Sequence, residues 1–297
     1  MKSRLLIPLL AMSLVLLSCT RDPIYDEVSR YHICFSIDSD VLYCKGKQPE
    51  LIQVIFYDPA SGKKIDEAYM GPEGGYLYSF TPGAYDIVAV SMGSSRTELT
   101  YTKDFNLLTA QTKTIQSSPV KVIAAPDHMY AGVMAGTVIP FLSEADPPFE
   151  LTIPMKSVCD SWKIKVTGVK GVEYSAGITA YVFNQTQEIY LKDNRPSGNC
   201  AIRAEGRAVQ DEGVFEIPFC TFGMSDTGTI RIRVDIEALD RKVHSMEFDV
   251  TSQILDVSNR EHLITVDFPT ELSPMIQGGL DPSADKWDEH HEFIDIE

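Results

Sequence analysis

The sequence has no Cys-x-x-Cys pair, no Gly-x-Ser-x-Gly, no His-Glu-x-x-His and no glycine-rich loop of the phosphate-cradling kind. These absences exclude a zinc knuckle or thioredoxin-like redox centre, a hydrolase nucleophile elbow, a zinc-protease helix and a nucleotide site of the common types. Positive charge is also scarce. Lys and Arg number 26 against 42 Asp and Glu, for a formal charge of −16. No basic stripe interleaved with aromatics occurs, so the chain repels nucleic acid and anionic headgroups alike. Long apolar runs are missing as well. The one at residues 5–17 covers thirteen positions, short of the roughly 20 that a membrane-spanning helix needs. Finally, no segment sustains a 3.6-residue hydrophobic period, which excludes a helical bundle.

What is present begins with that apolar run. It follows two cations, Lys2 and Arg4, and ends "LLSC" at Cys19. A charged start and a short apolar core make a secretory signal. The terminal Leu-Leu-Ser-Cys resembles the bacterial lipobox, in which the cysteine sulfur is acylated and becomes the first mature residue. Residues 1–18 are therefore expected to be removed and Cys19 to carry the lipid, with residues 19–30 as a tether. Losing Lys2 and Arg4 and no acid takes the formal charge from −16 to −18. Thr20 rather than Asp follows Cys19, so the inner-membrane retention signal of many two-membrane bacteria is missing. The expected location is the outer membrane, at its cell-surface or periplasmic face.

From Tyr31 onward the pattern has period two, with turn residues every eight to twelve positions. In "HICFSID", Ile33, Phe35 and Ile37 alternate with His32, Cys34, Ser36 and Asp38. "LIQVIFYD" is a nearly continuous β-favouring run, as in a central strand. In "DSWKIKV", Trp162, Ile164 and Val166 face one way and Lys163 and Lys165 the other, a half-buried antiparallel strand whose apolar face belongs to a core. "TPG" at 81–83 reads as a turn, with Pro82 fixing φ and Gly83 supplying a permissive backbone. "LSEADPPFE", residues 142–150, concentrates acids around a double proline that cannot continue a central strand. The expected architecture is all-β, two tandem antiparallel β-sandwiches over 31–145 and 146–270. Only short pieces such as "TSQILDVSN" can make a helical turn. After Pro269 the strand pattern stops, and residues 271–297 form an acidic arm, disordered or docking through Trp287, Phe293 and Ile294.

Candidates for chemistry are few. Of the six histidines, His32 and His244 lie in strand patterns and His262 opens one; His128 stands in "DHMY" without any nucleophile motif. "DEHHE", residues 288–292, sets two adjacent imidazoles on opposite sides of an extended chain, which is poor geometry for shared chelation. No catalytic residue, metal or cofactor is expected. Cys34, Cys44, Cys159, Cys200 and Cys220 follow Cys19, an odd number that cannot all pair within one chain. An oxidising envelope permits a Cys34–Cys44 bridge. Tyr76, Tyr78, Tyr85 and Tyr130 suit either a sandwich core or a sugar-binding platform.

Three features together, the lipobox, the "PGAYDIVAV" strand turn at Pro82–Val90 and the ending "GGLDPSADKWDEHHEFIDIE" at Gly278–Glu297, carry a family likeness. "PDHMYAG", residues 126–132, adds to them. The chain resembles the Bacteroidales fimbrillin-associated lipoproteins, the anchor and accessory proteins of type V pili with their uncharacterised relatives. One departure is that Leu280, Pro282 and Ala284 interrupt the alternating ending usual there. The resemblance implies transthyretin-like sandwiches and a non-catalytic role in which fimbrillin-type subunits are the partners, bound at a sheet edge. A surface lipoprotein that binds a glycan is the alternative.

Overall fold

The computed structural model describes residues 30–38, 49–78, 80–92, 95–209, 212–225, 228–254 and 260–274. Cys19, Cys44 and the arm from 275 onward lie outside them. Among the described residues the named elements are β-strands, apart from short 3-10 turns at Val172–Tyr174 and Thr251–Gln253. The second of these falls within "TSQILDVSN", where the sequence allows one turn.

The first half runs β1 (Tyr31–Ile37), β2 (Leu51–Tyr57), β3 (Lys64–Met70), β4 (Gly75–Leu77) and β5 (Gly83–Met92). Four short strands follow: β6 (Thr97–Thr100), β7 (Thr109–Thr112), β8 (Thr114–Gln116) and β9 (Val122–Ala124). β10 (Tyr130–Ile139) and β11 (Phe149–Ser157) then complete a seven-stranded sheet in the order β3-β2-β5-β10-β11-β1-β4. β3 and β4 end that order, yet the turn at residues 71–74 joins them directly, so the sheet curls round one core. Gly74 makes the turn feasible. Its φ is +95°, and a Cβ would stand 2.1 Å from the Ile33 carbonyl oxygen.

Every strand of this sheet points apolar side chains into that core, among them Ile33, Phe56, Met70, Leu77, Ile87 and Ile153. β2 is buried on its other face too, where Ile55 and Tyr57 enter a second cluster with Val88, Phe105 and Leu108. Burial on both sides explains its nearly unbroken apolar run. Gly83 opens β5 rather than supplying a left-handed turn. The Tyr85 hydroxyl instead fixes the entry by donating to the Thr81 carbonyl, and Tyr85 and Tyr130 are core residues, 4% and 3% exposed.

The second half contributes β12 (Asp160–Lys170), β13 (Ser175–Gln185), β14 (Glu188–Tyr190), β15 (Arg195–Ser197) and β16 (Cys200–Val209). It ends with β17 (Val214–Thr221), β18 (Arg231–Ala238), β19 (Val243–Asp249) and β20 (Glu261–Glu271). The main order is β19-β18-β13-β16-β17-β12-β20, with β20 parallel to β12. β16 turns the sheet into a sandwich. It pairs with β13 up to Gly206 and with β17 from Arg207. At Gly206 an added Cβ would meet Ile217 Cγ1 at 2.4 Å, so only glycine lets the layers close there. Trp162 lies at the centre, 0% exposed, with its ring centroid 4.6 Å from that of His262 and 5.9 Å from that of Phe219.

Two features differ from the sequence expectation. First, β11, expected to open the second sandwich, belongs to the first sheet, where it pairs parallel with β1 and antiparallel with β10. The acidic double-proline segment is the loop that joins β10 to β11. Ser143 donates to Asp146 through both its amide and hydroxyl at 2.7 Å, while Arg30 donates to the Ser143 carbonyl. The sheets change over at Val158–Cys159, later than residue 145.

Second, the halves interlock. β14 and β15 of the second half pair onto β7 and β6 of the first as a four-stranded sheet, order β15-β14-β7-β6, with Ile189 opposite Ala110. In exchange β9 of the first half pairs parallel with β16 of the second, Val122 opposite Ala201. The apolar cluster between the halves draws Tyr57, Val90 and Leu108 from one and Ile189, Leu191 and Phe222 from the other.

Candidate functional site

Strand edges and the junction between the halves are two places where this fold can meet another molecule. Among the described residues, β3 pairs only with β2, β19 only with β18, and β20 only with β12. β19 and β20 approach each other, with Phe248 and Phe268 ring centroids 6.2 Å apart and Thr270 Oγ1 3.2 Å from His244 Nδ1. β3 differs. Its start is covered where the Lys64 amide donates to the Lys103 carbonyl at 3.1 Å. Beyond that point Ile65 and Tyr69 are 53% and 54% exposed. Two of its three charges are paired over the sheet: Gln53 Nε2 donates to Glu67 at 2.7 Å and to the Tyr69 hydroxyl at 3.0 Å, and Lys64 pairs with Glu67 at 3.3 Å, while Asp66 is exposed. An edge of this kind is a template for a further strand.

The junction is built on Arg260. Its Nε donates to Asp160 Oδ1 at 2.9 Å, its Nη1 to the Ser157 carbonyl at 2.6 Å, and its own carbonyl accepts from the Ser161 amide at 2.7 Å. One arginine thus ties the end of β11, the start of β12 and the approach to β20. Burial raises the Asp160 carboxyl above its usual range, and the Arg260 guanidinium offsets this only in part. His128 closes the other side, with Nε2 2.9 Å from Ser157 Oγ and the ring 4.6 Å from Tyr130. Burial, with Arg260 nearby, lowers its pKa below 6.5. An open cleft of about 610 Å³ runs beside this network, lined by Asp160, Asn194, Ser225 and Arg260 together with Val158, Ile189 and Phe222.

The residues singled out from the sequence separate cleanly. Trp162 is in the second core. Tyr85 and Tyr130 are core, whereas Tyr76 and Tyr78 are 50% and 72% exposed. Cys34 is a free thiol whose Sγ lies 3.3 Å from His32 Nδ1, and the same nitrogen is 3.8 Å from Glu150 Oε1. Both partners share one ring nitrogen, so the group cannot relay a proton from thiol to carboxylate as a triad does. Cys159 and Cys200 are buried thiols, and burial pushes Cys200 up to about 12. Among the described residues no three His, Cys, Asp or Glu side chains form a metal-binding group. Sequence reasoning missed Arg260, whose role comes from long-range pairing with no local signature.

No protein-family model and no curated protein matches the chain. Solved structures do. A Bacteroides ovatus protein described provisionally as an adhesin aligns over 86% of this chain and 96% of its own, with TM-score 0.59 and 18% identity. A second of that description from the same species gives 0.54 and 12% over 81% and 87%. A Bacteroides thetaiotaomicron protein described provisionally as polysaccharide-binding gives 0.53 and 10% over 80% and 90%. The chain shares the fold of these proteins over most of both lengths.

Proposed function

We propose that the chain is a non-catalytic, lipid-anchored cell-envelope protein of the fimbrillin-associated type, which holds fimbrial protein subunits through an open sheet edge. The observation that carries this reading is the exposed edge of β3 beyond Lys64, with Ile65 and Tyr69 outward. Main-chain pairing along such an edge supplies affinity, and pockets for alternate side chains supply selectivity, with no reaction needed. The fold shared with proteins described as adhesins supports the same reading, as does the lipobox at Cys19. Cys19 is the lipid attachment and the outer membrane the location.

A pull-down from detergent-solubilised outer membrane should recover fimbrillin-type subunits, and Cys19→Ala should yield unprocessed or soluble protein. A Cys19→Ala protein that still fractionates with salt-washed membrane contradicts the anchor. Glycan binding is the second reading, favoured by the exposed Tyr76 and Tyr78, which alternate along β4 and its end. Recovery of no subunit, together with saturable binding of a purified polysaccharide, would establish that reading instead.

A further inference from the structure

The three most exposed large apolar side chains among the described residues are Phe141 at 82%, Tyr78 at 72% and Val138 at 67%. Tyr78 is far in sequence from Val138 and Phe141, but all three share one pole of the first sheet. β1 begins there, and Tyr31 is opposite both Leu77, the last residue of β4, and Phe149, the first of β11. β10 ends there with Ile139 opposite Gly83, and the Tyr31 hydroxyl donates to the Pro140 carbonyl at 3.1 Å. Tyr78, Val138 and Phe141 therefore stand at adjoining strand ends around Arg30. This is the pole at which the chain from the N-terminus enters the fold.

The geometry points to a membrane-seating face. We infer that Phe141, Tyr78 and Val138 enter the headgroup region of the bilayer that holds the N-terminal lipid, an inference that rests on the reading of Cys19 as the lipidated residue. Ten residues lie between Cys19 and Arg30, and the eleven residue-to-residue steps span at most about 40 Å when fully extended. Whatever else the protein binds, this pole is confined to the neighbourhood of the membrane surface. Aromatic and aliphatic side chains on such a face sink about 5–10 Å into the headgroup and acyl boundary, and a tyrosine suits that depth because its ring is apolar and its hydroxyl wet.

Charge selects the kind of surface. The same strand ends carry Glu144, Asp146 and Glu150 against Arg30. Asp146 is engaged by Ser143, and Glu150 faces His32 at 3.8 Å. Among the described residues of this pole no basic cluster is available for anionic lipid, so the seat depends on apolar area, tolerates salt and favours zwitterionic headgroups. The seat also orients the molecule. β11 runs from Phe149 at this pole to Ser157 at the opposite one, where β12 begins. The second sandwich therefore projects away from the bilayer.

The test uses the full lipidated chain reconstituted in phosphatidylcholine vesicles with lipids brominated at a shallow or a deep acyl position. Phe141→Trp adds a reporter on the face, and Leu239→Trp adds one at the far end of the second sandwich, where the Leu239 amide donates to Tyr174 at 2.9 Å. After subtraction of the parent emission, the Phe141→Trp signal should lose most of its intensity to the shallow bromines, less to the deep ones, and equally in high salt. The Leu239→Trp signal should be unaffected. A chain that floats with the vesicles while its Phe141→Trp emission stays unquenched overturns the seat and leaves the anchor standing. A chain that fails to float overturns both.

Discussion

Replacing Trp162 by Ala tests whether the second sandwich has the core described. The side chain is fully buried among Ile164, Val166, Phe219 and His262. Truncating a buried aromatic to Ala costs about 3–5 kcal/mol, the lost transfer energy plus the residual cavity. One correction runs the other way. The indole Nε1 is buried with no hydrogen-bond partner among the described residues, and an unsatisfied donor offsets about 1–3 kcal/mol of what burial contributes. The net loss should thus sit at the lower end, about 3 kcal/mol. For a chain of this length each kcal/mol shifts Tm by about 2 °C, so Trp162→Ala should melt roughly 5–6 °C lower. Trp162→Phe removes the orphaned N–H while keeping most of the ring, and should lose much less. Scanning calorimetry or thermal circular dichroism reads both. A Trp162→Ala protein with an unchanged Tm would refute the reasoning and return Trp162 to the surface as a candidate sugar platform.

Gly74→Ala should destabilise by at least about 1–3 kcal/mol, the cost of a left-handed non-glycine residue, with the clash on the Ile33 carbonyl in addition; a denaturant midpoint equal to the parent's would contradict the curled sheet. His128 titrates below 6.5 in the folded chain, so the unfolded chain binds a proton that the folded one refuses. Its contribution to stability is thus lost as pH falls through about 6.5 toward the lowered value, and His128→Asn should flatten the stability slope between pH 7 and 5.5. An equal slope in both proteins would mean that His128 is not buried as described. A fragment of residues 158–274 lacks β9 beside β16 and β7 beside β14; it should bind hydrophobic dye and lack the parent's cooperative melt. The same melting temperature as the whole chain would show that the halves do not depend on each other.

The elements were legible in the sequence because a one-face-buried strand writes its period into the residues, as in "DSWKIKV" and in the alternating burial of β20. The assembly of the elements was not. β9 is three residues long, and its partner on β16 lies on the other side of a whole sandwich strand set, so no local pattern can announce the pairing. The double-proline segment misled for a related reason. Proline excludes a central strand but does not distinguish a linker between domains from a loop within one sheet. Aromatic residues divided in the same way: Tyr78 and Tyr85 look alike in sequence, and only the strand ends they occupy send one to solvent and the other to the core.

The central claim, that the open edge of β3 receives another protein chain, is tested most directly by placing a photo-crosslinking phenylalanine derivative at Tyr69 in cells that make the full protein and its fimbriae. Irradiation should give a discrete adduct at Tyr69, identified by mass spectrometry as a fimbrillin-type subunit, and none at Leu239. An adduct-free Tyr69, or equal crosslinking at Leu239, would contradict it.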